Sequence, residues 1–63
     1  MTEPTESLEA RNPHGPGTIW IDLYPLMWGT VRAVVRGTTC EWVGSRTEAA
    51  ERVWLRYAVR VDG

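Results

Sequence analysis

The clearest pattern along this 63-residue chain is an alternation of apolar and other side chains over residues 19–24. Ile19, Ile21 and Leu23 occupy every second position of that segment. A period of two predicts a half-buried β-strand. Pro25 follows, and because it has no backbone N–H the strand is expected to end there or to bulge at a sheet edge.

Two further alternating segments follow, residues 30–36 and 39–43. An apolar loop over residues 26–29 separates the first strand from the second, and Gly37-Thr38 separates the second from the third. Connections this short join neighbouring antiparallel strands. In the third strand Cys40 and Trp42 share one face, and Glu41 lies on the other. The pattern predicts a three-stranded antiparallel meander.

The last third of the chain fits two structures. Ser45 and Glu48 have the spacing of a helix capping box, and good helix formers follow them. Residues 50, 53, 54, 57 and 61 then fall on one face of a helix, while residues 53–61 also alternate as a strand would. The helix-start signals favour a helix. The predicted fold class is therefore α+β, a βββα domain; the alternative is an all-β, four-stranded small barrel or meander.

Residues 1–17 differ from the rest in composition. They contain three prolines and two glycines, and Leu8 is their only large apolar residue after Met1. Because these few apolar groups cannot offset the entropy cost of ordering the segment, we expect residues 1–17 to form a flexible, acidic, disordered tail. Residues 18–63 are the predicted domain, near the lower limit of about 40 residues for unassisted folding. All six Trp and Tyr residues lie there, so most must be buried in the core or in a partner.

Charge is nearly balanced, with a formal net charge of −1. The tail has three glutamates and one arginine, and the domain has six arginines and five acidic residues. This balance argues against a strongly basic nucleic-acid binder. Lysine is absent, a composition that fits a high-GC coding sequence such as that of an actinobacterium or its phages. Arginine suits carboxylate, phosphate and aromatic partners.

The residues that could carry catalysis are sparse. Cys40 and His14 are the sole cysteine and histidine, too few for a zinc site, and the chain has no glycine-rich phosphate loop. We expect His14 to lie unpositioned in the tail and Cys40 to be a buried, inert thiol. Asp22 and Glu41 are interpreted as solvated sheet charges rather than an acid pair. We therefore expect no enzyme activity, no cofactor, no metal and no small-molecule substrate.

The N-terminus lacks the basic start and apolar run of a signal peptide. The apolar stretches are too short to span a bilayer. These features predict a cytoplasmic protein with no membrane partner.

Two groups of side chains remain for partner binding. One helix covers only one face of a three-stranded sheet, so either the aliphatic row or the aromatic row of the first strand is left uncovered. On the predicted helix, an arginine row lies beside two outward apolar residues. The sequence predicts a non-enzymatic protein–protein interaction module or accessory subunit that binds a partner or itself; the alternative is nucleic-acid binding through the arginines and exposed tryptophans. The candidate contact residues are Trp20, Tyr24, Trp28, Arg52, Leu55, Arg56, Val59 and Arg60.

The predicted order of three strands and a helix, with the turn into Thr47-Glu48-Ala49-Ala50, resembles the arm-binding N-terminal domain of phage-type integrases and other small βββα modules. The resemblance covers residues 30–60. In the integrase domains this resemblance implies a sheet that lies in a DNA groove. That sheet is usually rich in lysine and arginine, whereas here it offers Arg32 and Arg36 alone. No family is assigned on this basis.

Overall fold

A computed structural model of the chain describes residues 3–60. It contains a four-stranded antiparallel sheet in the order β1-β2-β3-β4, followed by one helix. The predicted α+β class and the C-terminal helix are confirmed, and the sheet has one strand more than the predicted meander. The elements are β1 Glu6–Arg11, β2 Thr18–Pro25, β3 Thr30–Val35, β4 Glu41–Ser45 and α1 Arg46–Ala58.

Strand β1 corrects the prediction that residues 1–17 form a disordered tail. Over Glu6–Arg11 the chain pairs with β2, with Leu8 opposite Ile21 and Ala10 opposite Ile19. Both β1 side chains are half-buried against the core. This packing and the ladder of backbone hydrogen bonds offset the ordering cost that the composition alone left uncompensated.

Helix α1 begins after Ser45, as predicted, but the cap differs in detail. The Ser45 side chain accepts a hydrogen bond from the Thr47 backbone N–H at 3.3 Å, and not from Glu48 as a capping box requires. The predicted inner face is confirmed at Val53, which is buried, and at Trp54 and Tyr57, which pack half-buried against the core. Ala49, which was not predicted on this face, is also buried, whereas Ala50 is half-buried. Val61, also expected on that face, lies outside the described residues.

The core lies between α1 and one face of the sheet. α1 packs mainly on β3 and β4, less on β2, and leaves the inner face of β1 largely uncovered. The helix therefore covers the aliphatic row of β2, and the aromatic row faces away from it. The buried core residues are Ile21, Leu23, Val31, Ala33, Val35, Cys40, Ala49 and Val53.

Strand β4 begins two residues later than the predicted third strand. The turn before it is closed by hydrogen bonds from the Val35 N–H to the Cys40 carbonyl and from the Cys40 N–H to Thr38 Oγ1, each 3.1 Å. The predicted faces of this strand are confirmed: Cys40 is buried and Trp42 half-buried on one side, and Glu41 is exposed on the other. The Trp42 ring lies against Gly44, where any Cβ would overlap its six-membered ring.

Candidate functional site

The sheet face opposite α1, here called the open face, brings together two of the predicted contact residues. Trp20 and Tyr24 point outward from β2, and Val34 and Val43 point outward from β3 and β4. No other part of residues 3–60 packs over this face as a layer. Trp20 is 41 % exposed and Val43 54 %.

At the centre of the open face, Asp22 is buried beneath Arg36. Arg36 donates two hydrogen bonds to its carboxylate, from Nη2 at 2.7 Å and from Nε at 3.0 Å. Ser7 on β1 adds a third, at 2.7 Å from Oγ to Oδ1. The Arg36 hydrogen bonds, with help from Ser7 and against the effect of burial, lower the pKa of Asp22. Asp22 is 6 % exposed, so the prediction of a solvated charge is wrong.

Each aromatic ring on the open face lies beside an arginine. The Arg36 guanidinium is 5.4 Å from the Trp20 ring centroid, and that of Arg32 is 5.1 Å from Tyr24. Arg32 also forms an ion pair with Glu41 at 3.0 Å. The open face therefore joins exposed aromatic and aliphatic surface to arginines that carboxylates already neutralise.

The loop between β2 and β3 carries a second exposed group, Leu26, Met27 and Trp28, here called the apolar tip. Trp28 is 93 % exposed, Met27 73 % and Leu26 49 %. Trp28 has φ 60° and Gly29 has φ 74°, and the Thr30 N–H donates to the Met27 carbonyl at 3.1 Å. A type I′ turn requires positive φ at both central residues, and bulky residues such as tryptophan rarely adopt a positive φ.

The other five predicted contact residues lie on the opposite side of the molecule, on or after α1. Arg56 donates to the Glu41 carbonyl at 3.2 Å, and Arg60 donates to Thr39 Oγ1 at 3.1 Å. These two arginines line an open cleft of about 540 Å³ beside Cys40. Arg52 and the apolar Leu55 and Val59 are exposed. Two arginines of the predicted row are thus engaged, by the first residue of β4 and by the loop before it.

A groove runs between β1 and α1, and it was not predicted because residues 6–11 were assigned to the tail. It has a volume of about 670 Å³, and Glu9, Arg11 and Glu51 contribute its charged lining. The alternation over residues 6–11, followed by the turn-forming run Asn-Pro-His-Gly-Pro-Gly, was the available signal for a hairpin. The apolar lining of this β1–α1 groove comprises Leu8, Ala10, Ile21, Ala50, Trp54 and Leu55.

The turn between β1 and β2 is fastened to the end of α1. The Trp54 indole N–H donates to the Arg11 carbonyl at 2.7 Å, and His14 Nε2 donates to the Tyr57 carbonyl at the same distance. The His14 and Tyr57 rings meet edge to face at 4.8 Å. The expectation that nothing positions His14 is therefore wrong: its ring binds a helix carbonyl.

Comparison with protein-family models, with curated proteins and with solved structures finds no match for this chain. Within residues 3–60, no helix is long and apolar enough to cross a membrane. The same residues contain no cluster of three or more His, Cys, Asp or Glu side chains that could hold a metal ion.

Proposed function

We propose that this chain is a non-enzymatic interaction module, or an accessory subunit of a larger assembly, that binds a protein through the open face. The observation that carries the proposal is the pair of an exposed Trp20 and a half-buried Tyr24 on an uncovered sheet face, with an arginine beside each ring. Trp, Tyr and Arg are the residues most enriched at interface hot spots. The four-stranded sheet presents them on a rigid surface, which limits the entropy lost on binding.

The charge of the open face favours a protein over a nucleic acid. Asp22 and Glu41 neutralise Arg36 and Arg32, whereas a phosphate-binding surface needs arginines whose charge is available. Protein interfaces, by contrast, are enriched in tyrosine, tryptophan and arginine, and they do not require the arginine charge to be unpaired. Val34 and Val43 supply the aliphatic part of the open face.

The test begins with capture from a lysate of the source organism, using the tagged full-length chain and nuclease treatment. Each captured protein is then purified, and its affinity is measured by calorimetry. Replacement of Trp20 or Tyr24 by alanine should weaken binding roughly 30-fold or more, the effect of losing a hot-spot residue worth about 2 kcal/mol.

Arg52→Ala is the matched control, because Arg52 is exposed on α1, on the other side of the sheet. It should leave the affinity unchanged. Equal affinities for the wild type, Trp20→Ala and Tyr24→Ala would contradict the proposal. A loss of affinity confined to Arg52→Ala would assign the contact to the helix.

A single-stranded nucleic acid is the second candidate ligand, favoured by the placement of aromatic rings beside guanidinium groups on one sheet face. Bases stack on such rings, and arginines contact the phosphates. Fluorescence anisotropy with single-stranded DNA and RNA oligonucleotides tests this candidate. Affinity that falls steeply with salt and is lost in Trp20→Ala would replace the protein-binding proposal with this one.

A further inference from the structure

Strand β1 forms one edge of the sheet, and its hydrogen-bond pattern shows which backbone groups face outward. The Asn12 N–H donates to the Gly17 carbonyl at 3.0 Å, in the register that pairs β1 with β2. Residues of an antiparallel pair alternate between bonded and non-bonded positions. The even-numbered residues of β1 therefore bond to β2, whereas Ser7 and Glu9 direct their N–H and C=O groups away from it.

The outward N–H and C=O groups of Ser7 and Glu9 are here called the β1 edge. No group within residues 3–60 bonds to them, whereas the next outward carbonyl, that of Arg11, accepts from the Trp54 indole. Unpaired backbone groups along a strand are a template for a further strand. β1 has no proline and pairs with β2 without a break from Glu6 to Arg11, so its edge is regular enough to accept one.

The opposite edge of the sheet, on β4, is more occupied. The Val35 N–H donates to the Cys40 carbonyl in the register of β3 with β4, so Glu41 and Val43 direct their backbone groups outward. Arg56 already donates to the Glu41 carbonyl at 3.2 Å, and β4 then leads into α1. Of the two edges, β1 is therefore the one on which two successive outward residues keep every backbone group unbound within residues 3–60.

We infer that β1 pairs antiparallel with β1 of a second copy about a two-fold axis at Leu8, so that the two sheets join into one. Ser7 of each copy then lies opposite Glu9 of the other, and the two residues exchange both backbone hydrogen bonds. Every group of the β1 edge is used on both copies. Such a two-fold contact is closed, so it gives a dimer rather than a growing chain. Both open faces stay uncovered, so this pairing is independent of the proposed function.

The spacing of the unbound groups fixes where the two-fold axis lies. In an antiparallel pair of two β1 strands, outward residues must lie opposite outward residues, so only a few positions of the axis are possible. An axis at Glu9 or at Ala10 would need the Arg11 carbonyl for pairing. That carbonyl already accepts from the Trp54 indole at 2.7 Å, which disfavours both positions.

An axis on the other side, at Ser7, is disfavoured for a similar reason. It would place Glu9 opposite Thr5, whose N–H donates to the Leu23 carbonyl at 2.8 Å. The axis at Leu8 is the position that uses only unbound groups. A strand from another protein would have to reproduce this spacing, which a second copy of β1 already has, and two-fold dimers are the commonest oligomers.

The side chains of β1 agree with an axis at Leu8. Glu9 then faces the neutral Ser7, whereas an axis at Glu9 would set two like charges directly opposite each other. Glu6, which is already ion-paired within its own chain, faces Ala10. Leu8, half-buried against the core, meets Leu8 of the second copy at a non-bonded position, where opposite side chains come closest.

The contact is small, because one short strand from each copy covers less surface than the roughly 1,200 Å² typical of stable complexes. The dimer should therefore be weak and depend strongly on concentration. Sedimentation velocity on the full chain, at concentrations up to about 1 mM, detects it. The wild type should approach a dimer and form no larger species.

Amide hydrogen exchange of the wild type, followed by NMR in dilute and concentrated samples, locates the contact without any substitution. The N–H groups of Leu8 and Ala10 bond to β2 and should be protected in both samples. Those of Ser7 and Glu9 should exchange quickly in the dilute sample and slow down as the dimer forms. The outward N–H of Val43, on β4, should exchange quickly in both.

The variant Glu9→Pro removes one outward N–H from the β1 edge. Proline is tolerated on an edge strand where the N–H faces solvent, so pairing with β2 should be kept. The symmetric dimer loses this donor twice, and its dissociation constant should rise roughly 30-fold. Val43→Pro makes the same change on the β4 edge and should dimerise like the wild type. Glu9→Gln removes the charge but keeps the N–H, and it should dimerise at least as strongly.

A wild type that stays monomeric up to about 1 mM would overturn the inference. So would a dimer that Glu9→Pro leaves intact, or one in which the Ser7 and Glu9 amides exchange as fast as in the monomer. If Glu9→Pro does not fold, the amide exchange of the wild type decides alone. Trp20→Ala should dimerise like the wild type, so failure of the open-face proposal and failure of this pairing are distinguishable.

Discussion

The two faces of the sheet show how one alternating pattern produces two kinds of surface. On the face under α1, Ile21, Leu23 and Ala33 are at most 1 % exposed and make apolar contacts. On the open face, one position along from Ile21, Asp22 is also buried, but by hydrogen bonds from Arg36 and Ser7. Apolar packing stabilises the first face, whereas the second carries a polar cluster between an exposed Trp20 and a half-buried Tyr24.

This difference separates folding from binding in a very small domain. Removing side-chain atoms from the covered face should destabilise the fold strongly, because protein interiors are close-packed and each missing group leaves a cavity. The open face can change at Trp20 or Val43 with small effects on folding, since these side chains keep substantial exposure. Substitutions on the two faces should therefore differ in size and in kind.

The largest effect is expected on the covered face. Leu23→Ala should lower the free energy of unfolding by about 2–5 kcal/mol, through lost burial and the cavity left behind. Urea denaturation followed by tryptophan fluorescence measures it. Ile21→Val, at about 0.5–1.5 kcal/mol, serves if the alanine variant does not fold. The matched open-face change, Val43→Ala, should cost less than about 1 kcal/mol. Equal losses for Leu23→Ala and Val43→Ala would remove the distinction between the faces.

The next effect concerns the close approach of Trp42 to Gly44 on the covered face. Gly44→Ala should destabilise the domain by about 1–3 kcal/mol, because the added Cβ overlaps the indole ring. In a Trp42→Leu background the same change should cost much less. Thermal or urea unfolding of the four proteins in a double-mutant cycle gives the coupling. Additive effects would show that the ring does not impose the glycine.

On the open face, Asp22→Asn should cost about 1–2 kcal/mol at neutral pH, since it removes the charge that binds Arg36. The pKa of Asp22 is lowered in the folded protein, so its stabilisation is complete above the unfolded value of about 3.9. It is lost as the pH falls through the lowered folded value. Urea titrations between neutral and acid pH should show the wild type and variant converging in acid. A difference that is independent of pH would exclude the carboxylate as the cause.

The smallest effect is expected at the exposed pair of Arg32 and Glu41. Glu41→Gln should change the free energy of unfolding by less than about 1 kcal/mol, because water solvates both groups and screens them. The variant is more informative about binding, because it frees the Arg32 charge from its ion pair. If single-stranded nucleic acid is the ligand, its affinity should rise in Glu41→Gln. If the anisotropy titrations with oligonucleotides are unchanged and the affinity for a captured protein changes, the result would support a protein partner.

Much of the fold was predictable because period-two alternation identifies strands without knowledge of the partner strand. The inward positions of β2 and β3 follow from it directly, and Ser45 marks the start of α1. Strand β1 was not predicted, since its single leucine gains burial only after β2 and the core exist. The features of the candidate site also differ in how predictable they were. The exposure of one side-chain row of β2 could be predicted, whereas the Asp22–Arg36 contact and the β1–α1 groove could not.

The alternation of the strands, the turns and the start of the helix follow from local sequence, because they depend on residues close together along the chain. Two features depend instead on how the elements pack: α1 covers the aliphatic row and leaves Trp20 and Tyr24 on the open face. In addition, His14 and Trp54 connect the first hairpin to the helix through hydrogen bonds that each span 43 positions. Such choices compare the burial of whole surfaces and the pairing of distant groups, quantities that no local pattern contains.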